Sequence, residues 1–407
     1  MTPNNVPHRR WLYLIVGVFA MLFSGVLYAW SILKVPFRDI FGWSDSVLAY
    51  SFTLTMCFFC LGAFAGSLIS KRFSSRFALL LAAGLVGVGF ILTGLLRAEL
   101  LALLFVSYAV LAAFGIGISY NVVVATVSAW FPDRKGFSSG CLMMGFGFST
   151  LLLGNLITML FDNPSFGWSK TYMLLGIVLA VVLVISGLIL RRPAPNTVLP
   201  SPKPAKASFS EDFTVRDFAT LEMIRSFTYW RAFICLAFIT AVGNSVISFA
   251  RDLVLSVDAA PALAATLVGV LAVFNGLGRI LTGAVYDALG RRITMISASI
   301  LTIVAAGITL LAVQLHSLPL CIAGLCLTGL SYGSCPTMTS AFTSSFYGQK
   351  HFPVNYSITN FNLVGAACIA AVSNNLYIST GSFAAPFAML LILAVCALVL
   401  NLSIRQP

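Results

Sequence analysis

Charged side chains are scarce in this sequence. Asp, Glu, Lys and Arg together make up 9% of the 407 residues, whereas a soluble domain carries about 25%. Hydrophobic residues make up 59%, so the chain lacks the polar surface that contact with water on all sides requires. The composition therefore excludes an ordinary soluble protein and indicates one that lies in a lipid bilayer.

The sequence also lacks the clusters that catalysis, metal binding and nucleic-acid binding need. It has three histidines, no H-E-x-x-H motif and no paired acidic residues within its apolar runs. Cys57 and Cys60 are compatible with a redox or metal pair, but without a nearby histidine two small apolar residues are the favoured interpretation. The net charge is +12, yet the basic residues form short clusters between apolar runs rather than a basic helix. We therefore expect no catalytic residue, cofactor, metal or nucleic-acid partner.

Long apolar runs are what the sequence has in abundance. A membrane-spanning helix needs about 20 mainly apolar residues, and twelve runs meet that length. They predict an all-α membrane protein with twelve transmembrane helices in two six-helix halves, residues 1–190 and 228–407. The runs begin near Trp11, Val47, Phe77, Leu100, Phe137 and Thr171, and near Tyr229, Pro261, Ile293, Leu318, Val354 and Phe383.

The polar stretch 191–227 is predicted to be a cytoplasmic linker, with a pattern from about Ser210 that favours a short amphipathic helix on the membrane. Basic residues set the orientation, because cytoplasmic loops carry an excess of them. With the N-terminus inside, eighteen Lys and Arg fall in cytoplasmic segments and five in outer ones. We expect a multi-pass protein of the cell membrane with both termini cytoplasmic.

The two halves repeat short motifs. Gly117-Ile-Ser-Tyr120 recurs 212 residues later as Gly329-Leu-Ser-Tyr332, and Ser128-Ala129 recurs as Ser340-Ala341. The loop after the second run, which starts at Gly66, also has a partner that starts at Gly283 after the eighth. Related halves are the architecture of secondary transporters, whose substrate site lies between them near the membrane midplane.

A family resemblance rests on the second of these loops. Gly283, Asp287, Gly290, Arg291 and Arg292 match the signature G-x-x-x-D-x-x-G-R-R of the major facilitator superfamily. The resemblance implies the major facilitator fold, a pseudo-symmetric pair of six-helix halves, and a clasp between this loop and a neighbouring helix. The first-half copy departs from the signature, with Ser70 in place of the acid and Phe73 in place of the glycine.

Three further motifs resemble the oxalate/formate antiporters and the related monocarboxylate transporters. They are Trp130-Phe-Pro-Asp-Arg-Lys-Gly136, Tyr28-Ala-Trp30 with Pro36, and Asn275-x-x-Gly-Arg279. In those families an arginine at the position of Arg279 binds substrate, so the resemblance implies that role here.

Arg279 is also the candidate that the residues themselves single out. It lies eight residues before Asp287, about 12 Å along the helix at 1.5 Å per residue. One interpretation is a structural arginine bonded to backbone carbonyls of a neighbouring helix. The other is a buried cation that faces a central cavity, the default for an ionisable group within a membrane. No Asp or Glu lies in the middle of any predicted span, so we expect the substrate to be an anion.

Further candidate substrate-binding residues follow from their positions. Asn275 lies four residues before Arg279 and shares its helix face. Tyr120 and Tyr332 occupy equivalent places in the two halves and offer hydroxyl groups, although packing aromatics are the alternative. Tyr28 in the first run, and Asn362 with Asn360 in the eleventh, are polar enough to line a cavity.

The charge inventory predicts the class of substrate. Resemblance to the oxalate branch implies a second cation in the eleventh run, but Leu363 stands there and no lysine lies in 354–376. One cation suits a monocarboxylate such as lactate, pyruvate, acetate or formate. Arginine does not titrate near neutral pH, so the proton is expected to travel with the substrate carboxylate in electroneutral symport by a monomer. Anion exchange of the oxalate/formate type, and a sugar or drug carrier, are the alternatives.

Overall fold

The computed structural model describes residues 6–194, 197–200 and 216–404, and within these ranges the chain is helical with no β-strand. Eleven of its helices are long and apolar enough to cross a membrane. Helices suit that environment because they satisfy every backbone polar group internally. The spans are numbered below in chain order.

Spans 1 to 6 are Arg9–Ala29, Asp45–Arg72, Ser75–Gly94, Leu101–Ser128, Lys135–Asp162 and Gly167–Ile189. Spans 7 to 12 are Phe227–Leu255, 261–289, 291–314, Leu318–Tyr347, Phe352–Thr380 and Ala384–Leu402. Shorter helices cover Trp30–Leu33, Val35–Asp39 and Thr220–Arg225.

Spans 8 and 9 form one continuous helical segment that a glycine divides. Its apolar part, Thr266–Gln314, has 49 residues, about 73 Å of helix and more than twice the ~30 Å hydrocarbon core. Gly290 breaks it with φ 78° and ψ 178°, a backbone conformation that favours glycine. The segment therefore holds two spans, which brings the number within the described ranges to twelve. Each span begins within four residues of its predicted start, so the predicted all-helical fold is confirmed.

Residue contacts divide the chain into two compact units. The first contains Met1–Asp133 and Gly145–Pro202, and the second contains Arg134–Met144 and Lys203–Pro407. The first turns of span 5 therefore belong to the second unit. The boundaries 1–190, 191–227 and 228–407 stay predictions. Most of the amphipathic helix predicted from about Ser210 lies outside the described residues, because 201–215 are not among them.

The repeat in sequence is also a repeat in packing inside each unit. In the first unit a Cβ on Gly117 would collide with the backbone of Phe59, and one on Gly66 would lie 2.8 Å from Cα of Ile118. Residues exactly 212 positions later make the same two contacts in the second unit, where Gly329 packs on Leu271 and Gly278 on Leu330. In packing, Gly66 therefore corresponds to Gly278 rather than to Gly283.

Candidate functional site

Arg279 lies in span 8, eleven residues before the break at Gly290, and only 2% of its surface is exposed. Its Nε donates a hydrogen bond to Oδ1 of Asn275 at 3.2 Å, one helical turn earlier. A terminal guanidinium nitrogen donates to the backbone carbonyl of Met143 in span 5. The two acceptors are neutral, and all three residues belong to the second unit.

Close contact between spans 5 and 8 brings the Met143 carbonyl within reach. Cβ atoms built on Gly136 or Gly283 would each collide with the other residue's carbonyl oxygen, and one on Gly140 would lie 2.6 Å from the carbonyl oxygen of Arg279. Small residues allow helix backbones to approach this closely in a membrane. The glycines thus set the distance at which the arginine meets the neighbouring helix.

The charge of Arg279 has no acidic partner in the part of the chain that the structure describes. Salt bridges between other residues there include Arg10 to Asp133, Arg38 to Asp39 and Arg216 to Glu222. A guanidinium has five N–H donors, and the described residues accept hydrogen bonds from two of its nitrogens. The bond to Met143 is the contact that the structural interpretation expects, whereas the uncompensated charge and the remaining donors suit an anionic ligand.

Span 10 lies against the face of span 8 that carries Asn275 and Arg279. A Cβ on Gly333 would collide with the carbonyl oxygen of Asn275 and would lie 3.1 Å from the backbone nitrogen of Arg279. The hydroxyl of Thr337 donates to the carbonyl oxygen of Arg279 at 3.2 Å. Tyr332, of which 3% is exposed, precedes this contact surface by one residue.

Span 11 contributes amides where its helix is interrupted at residues 360–361, between Phe352–Thr359 and Asn362–Thr380. Nδ2 of Asn362 donates to Oγ1 of Thr339 in span 10 at 3.4 Å, and both Asn360 and Asn362 are 2% exposed. The hydroxyl of Tyr356 lies 4.0 Å from the sulfur of Met143. Leu363 is half-buried, so an uncharged residue occupies the place where the family resemblance implies a second cation.

Tyr28 and Tyr120 lie in the first unit, where both rings contact Phe146. Their ring centroids are each 5.2 Å from that of Phe146, in edge-on geometry. Tyr120 also meets Phe59 edge-on at 5.1 Å and is 4% exposed, whereas Tyr28 is half-buried. The structure thus groups these two tyrosines with each other, and groups Arg279, Asn275, Tyr332 and Asn362 in the second unit. Their assignment to substrate binding stays a prediction.

Sequence reasoning missed two groups that contact these residues. The Met143 carbonyl is a main-chain atom, and no residue type signals its contact with Arg279. Asn244 in span 7 accepts a hydrogen bond from the Tyr332 hydroxyl at 3.0 Å. The sequence could have indicated Asn244, because its amide stands near the centre of an apolar run.

The loop signature also has a contact that gives it a structural role. Asp287 accepts hydrogen bonds from the backbone nitrogens of Gly136 at 2.8 Å and Phe137 at 2.7 Å, at the N-terminus of span 5. A negative charge is favourable at the N-terminal end of a helix. In the first unit the hydroxyl of Ser70 instead donates to the carbonyl oxygen of Ser67 in its own helix, at 3.1 Å. The acid of the signature therefore contacts a neighbouring helix, whereas the serine at that place in the first-half motif bonds within its own helix.

Among the residues that the structure describes, twelve apolar spans with repeated internal packing and a buried cation define the class of protein as a membrane transporter built from two related halves. The family model of the Major Facilitator Superfamily matches residues 11–371 and 233–407. The chain belongs to that superfamily, whose members are transporters rather than enzymes.

Relatives with similar sequences include two bacterial proteins. The "Uncharacterized MFS-type transporter YhjX" of Escherichia coli K12 is 25% identical over 372 residues, which cover 90% of this chain and 88% of the relative. The "Oxalate:formate antiporter" of Oxalobacter formigenes is 27% identical over 387 residues, which cover 90% and 86%. The human "Monocarboxylate transporter 12" is 24% identical over 409 residues, which cover 94% and 78%. The resemblance to these transporter families is therefore confirmed.

Solved structures share the fold at low sequence identity. The fucose:proton symporter FucP of E. coli superposes with a TM-score of 0.71 at 12% identity, and the match covers 98% of this chain and all of that one. The proton:xylose symporter XylE gives a TM-score of 0.70 at 13% identity, with coverage of 100% and 97%. These matches show the major facilitator fold for this chain.

Proposed function

We propose that this protein is a secondary active transporter of small monocarboxylate anions, of the lactate, pyruvate, acetate and formate class. It works by alternating access of two six-helix halves, as a monomer in the cell membrane with both termini cytoplasmic. The substrate carboxylate lies on Arg279 and moves together with a proton.

The observation that carries this proposal is the buried, uncompensated charge of Arg279. A charge taken out of water is unfavourable unless it is paired, and the described residues offer Arg279 two neutral acceptors. A substrate carboxylate supplies the missing charge and fits a planar guanidinium through two parallel hydrogen bonds. Asn275 orients the guanidinium through the bond to Nε.

A second argument supports a monoanion over a dianion. A dicarboxylate in a low-dielectric site needs two positive charges, and the relative named as an oxalate:formate antiporter raises that alternative. Leu363 and its neighbour Asn362 give span 11 no cation, and the amide of Asn362 already donates to Thr339. An uncharged wall suits the uncharged end of a small monocarboxylate.

Coupling to protons follows from the lack of a titrating partner. No described carboxylate or histidine forms a hydrogen bond or salt bridge with Arg279, and arginine stays protonated at all physiological pH values. The substrate carboxylate itself is then the group that carries the proton, so that transport is electroneutral. Obligatory anion exchange is the competing scheme.

Transport by purified protein in proteoliposomes tests the assignment. We expect uptake of labelled lactate or acetate by the wild type and a loss of at least about a hundredfold in Arg279→Ala, since two charge-assisted hydrogen bonds contribute about 1.5–3 kcal/mol each. Arg279→Lys keeps the charge without the planar fork and should retain partial activity. Arg97→Ala, which changes an exposed arginine outside the spans, is the matched control and should transport normally.

The same vesicles separate the alternatives. Net uptake into empty vesicles under an inward proton gradient supports symport, whereas strict dependence on an internal anion supports exchange. Uptake of oxalate without lactate would refute the monocarboxylate assignment. Normal transport by Arg279→Ala, or transport of sugars or drugs without carboxylates, would refute the anion site itself.

A further inference from the structure

A polar pair between spans 7 and 10 lies beside the face of span 10 that packs on Asn275 and Arg279. The Tyr332 hydroxyl donates to Oδ1 of Asn244 at 3.0 Å. The ring of Tyr332 also packs directly on the backbone at Gly243, where a Cβ would collide with it. The tyrosine is therefore held at both its ring and its hydroxyl by two consecutive residues of span 7.

The direction of this hydrogen bond decides which group can bind an anion. A phenol hydroxyl has a single proton, and Tyr332 gives it to Asn244. While that bond exists, the tyrosine has no proton for a carboxylate. The Asn244 amide keeps two N–H donors, because Oδ1 is the atom that Tyr332 contacts. Asn244 is half-buried, so these donors are accessible to a ligand.

Helix geometry places Asn244 near the level of the Arg279 guanidinium. Spans 7 and 8 are joined by 256–260, so depth along both can be counted from this connection. Asn244 lies 11 residues before Leu255, at most about 17 Å because non-helical φ and ψ at Phe249 interrupt the helix between them. Asn275 lies 14 residues after Pro261, about 21 Å. Arg279 is one turn deeper, but its Nε returns to Asn275, as helix side chains lean toward the N-terminus of their helix.

We propose that Asn244 determines specificity by donating an amide N–H to the oxygen on carbon 2 of a 2-hydroxy or 2-oxo monocarboxylate. The carboxylate of that substrate lies on Arg279, and Tyr332 positions the Asn244 amide instead of binding substrate. This inference rests on the proposed function. It predicts preference for lactate, pyruvate or glycolate over acetate or propionate.

The test compares the KM for lactate with the KM for acetate in proteoliposomes. Asn244→Leu has a similar volume and no donor. It should raise the lactate-to-acetate KM ratio about fivefold, as expected for one neutral hydrogen bond of about 1 kcal/mol, with acetate uptake retained. Tyr332→Phe should shift the ratio in the same direction by a smaller factor. Ser379→Ala, which changes an exposed serine near the end of span 11, is the control and should leave the ratio unchanged.

Asn244→Asp distinguishes a ligand donor from a structural partner. A carboxylate still accepts from the Tyr332 hydroxyl but has no N–H, so a residue that only held Tyr332 would keep the wild-type ratio. We expect the KM ratio to rise because the N–H donor to lactate is lost. Charge repulsion weakens the binding of lactate and acetate alike, so it cancels from the ratio.

The outcomes separate this inference from the function on which it rests. An unchanged ratio in Asn244→Leu and Asn244→Asp, or equal loss of both substrates, overturns the role of Asn244 while carboxylate transport by the wild type upholds the proposed function. A wild type that transports no carboxylate overturns both.

Discussion

Asp287 provides an N-cap for a helix to which it does not belong. The first N–H groups of a helix have no partner within it, and in span 5 the first intrahelical bond runs from Ser138 nitrogen to the Arg134 carbonyl. Gly136 and Phe137 thus need acceptors from elsewhere, and both donate to the Asp287 carboxylate. We expect Asp287→Ala to release the first turn of span 5 while the rest of the span stays folded.

The distances set the size of the effect. Both bonds, at 2.8 and 2.7 Å, are short and charge-assisted, and a hydrogen bond to a charged group contributes about 1.5–3 kcal/mol. Asp287 is half-buried and water competes for it, so the two hydrogen bonds together contribute about 3 kcal/mol. This corresponds to roughly a hundredfold change in the equilibrium constant for local opening. Asp287→Asn keeps one acceptor oxygen without the charge and should show about a tenfold effect.

Hydrogen–deuterium exchange of the segment 134–140, read by mass spectrometry, measures this directly because the bonded amides are the ones that exchange. Asp39→Asn is the control, since Asp39 is an exposed carboxylate bonded to its neighbour Arg38; exchange of 134–140 should not change. If exchange in Asp287→Ala equalled that of the wild type, the carboxylate would not be what holds the start of span 5.

Two further predictions concern packing and the linker. Gly136→Ala should lower the free energy of unfolding by about 1–3 kcal/mol, because the new methyl group meets the backbone of Gly283. Gly84→Ala, at a site where nothing lies within 4 Å of the new methyl group, is the control and should leave stability unchanged. Equal thermal midpoints of the two variants in detergent would contradict this prediction. Asn355→Ala should speed amide exchange in 216–225 about tenfold, because Nδ2 of Asn355 donates to the Phe218 carbonyl at 3.1 Å and its Oδ1 accepts from a linker threonine at 2.8 Å. Unchanged exchange would show that the linker is held by other contacts.

The fold could be predicted from the sequence because lipid imposes a single rule on backbone and composition. Any run of about 20 apolar residues must become a helix in a bilayer, so span number and starts follow from hydropathy. The charged residues around Gly290 predict the break between spans 8 and 9. The inclusion of 134–144 in the second unit was not, because the Gly136–Gly283 approach depends on tertiary packing between residues almost 150 positions apart.

The candidate site residues also divide into contacts that the sequence predicts and contacts that it does not. Arg279 and Asn275 are one turn apart on a helix, so their hydrogen bond could be predicted from spacing alone. The place of Tyr332 in the repeat predicts a hydroxyl donor, but spacing cannot show that its proton goes to Asn244. The contact of Arg279 with Met143 involves a carbonyl that every residue has, so it depends on the packing of spans 5 and 8 and not on residue type.

The charge of the candidate site is confined to one member of a repeated pair. The offset of 212 that relates the helix contacts in the two units places Ser67 where the second unit has Arg279. Ser67 is fully buried, and its hydroxyl donates to the Phe64 carbonyl of its own helix at 2.6 Å. The hydroxyl therefore needs no hydrogen bond from a ligand. A charged residue at both positions of the repeat would suit a dianion, whereas an arginine at one position and a serine bonded within its own helix at the other suit one carboxylate. This asymmetry within a shared scaffold links the lone buried cation to the class of substrate that we propose.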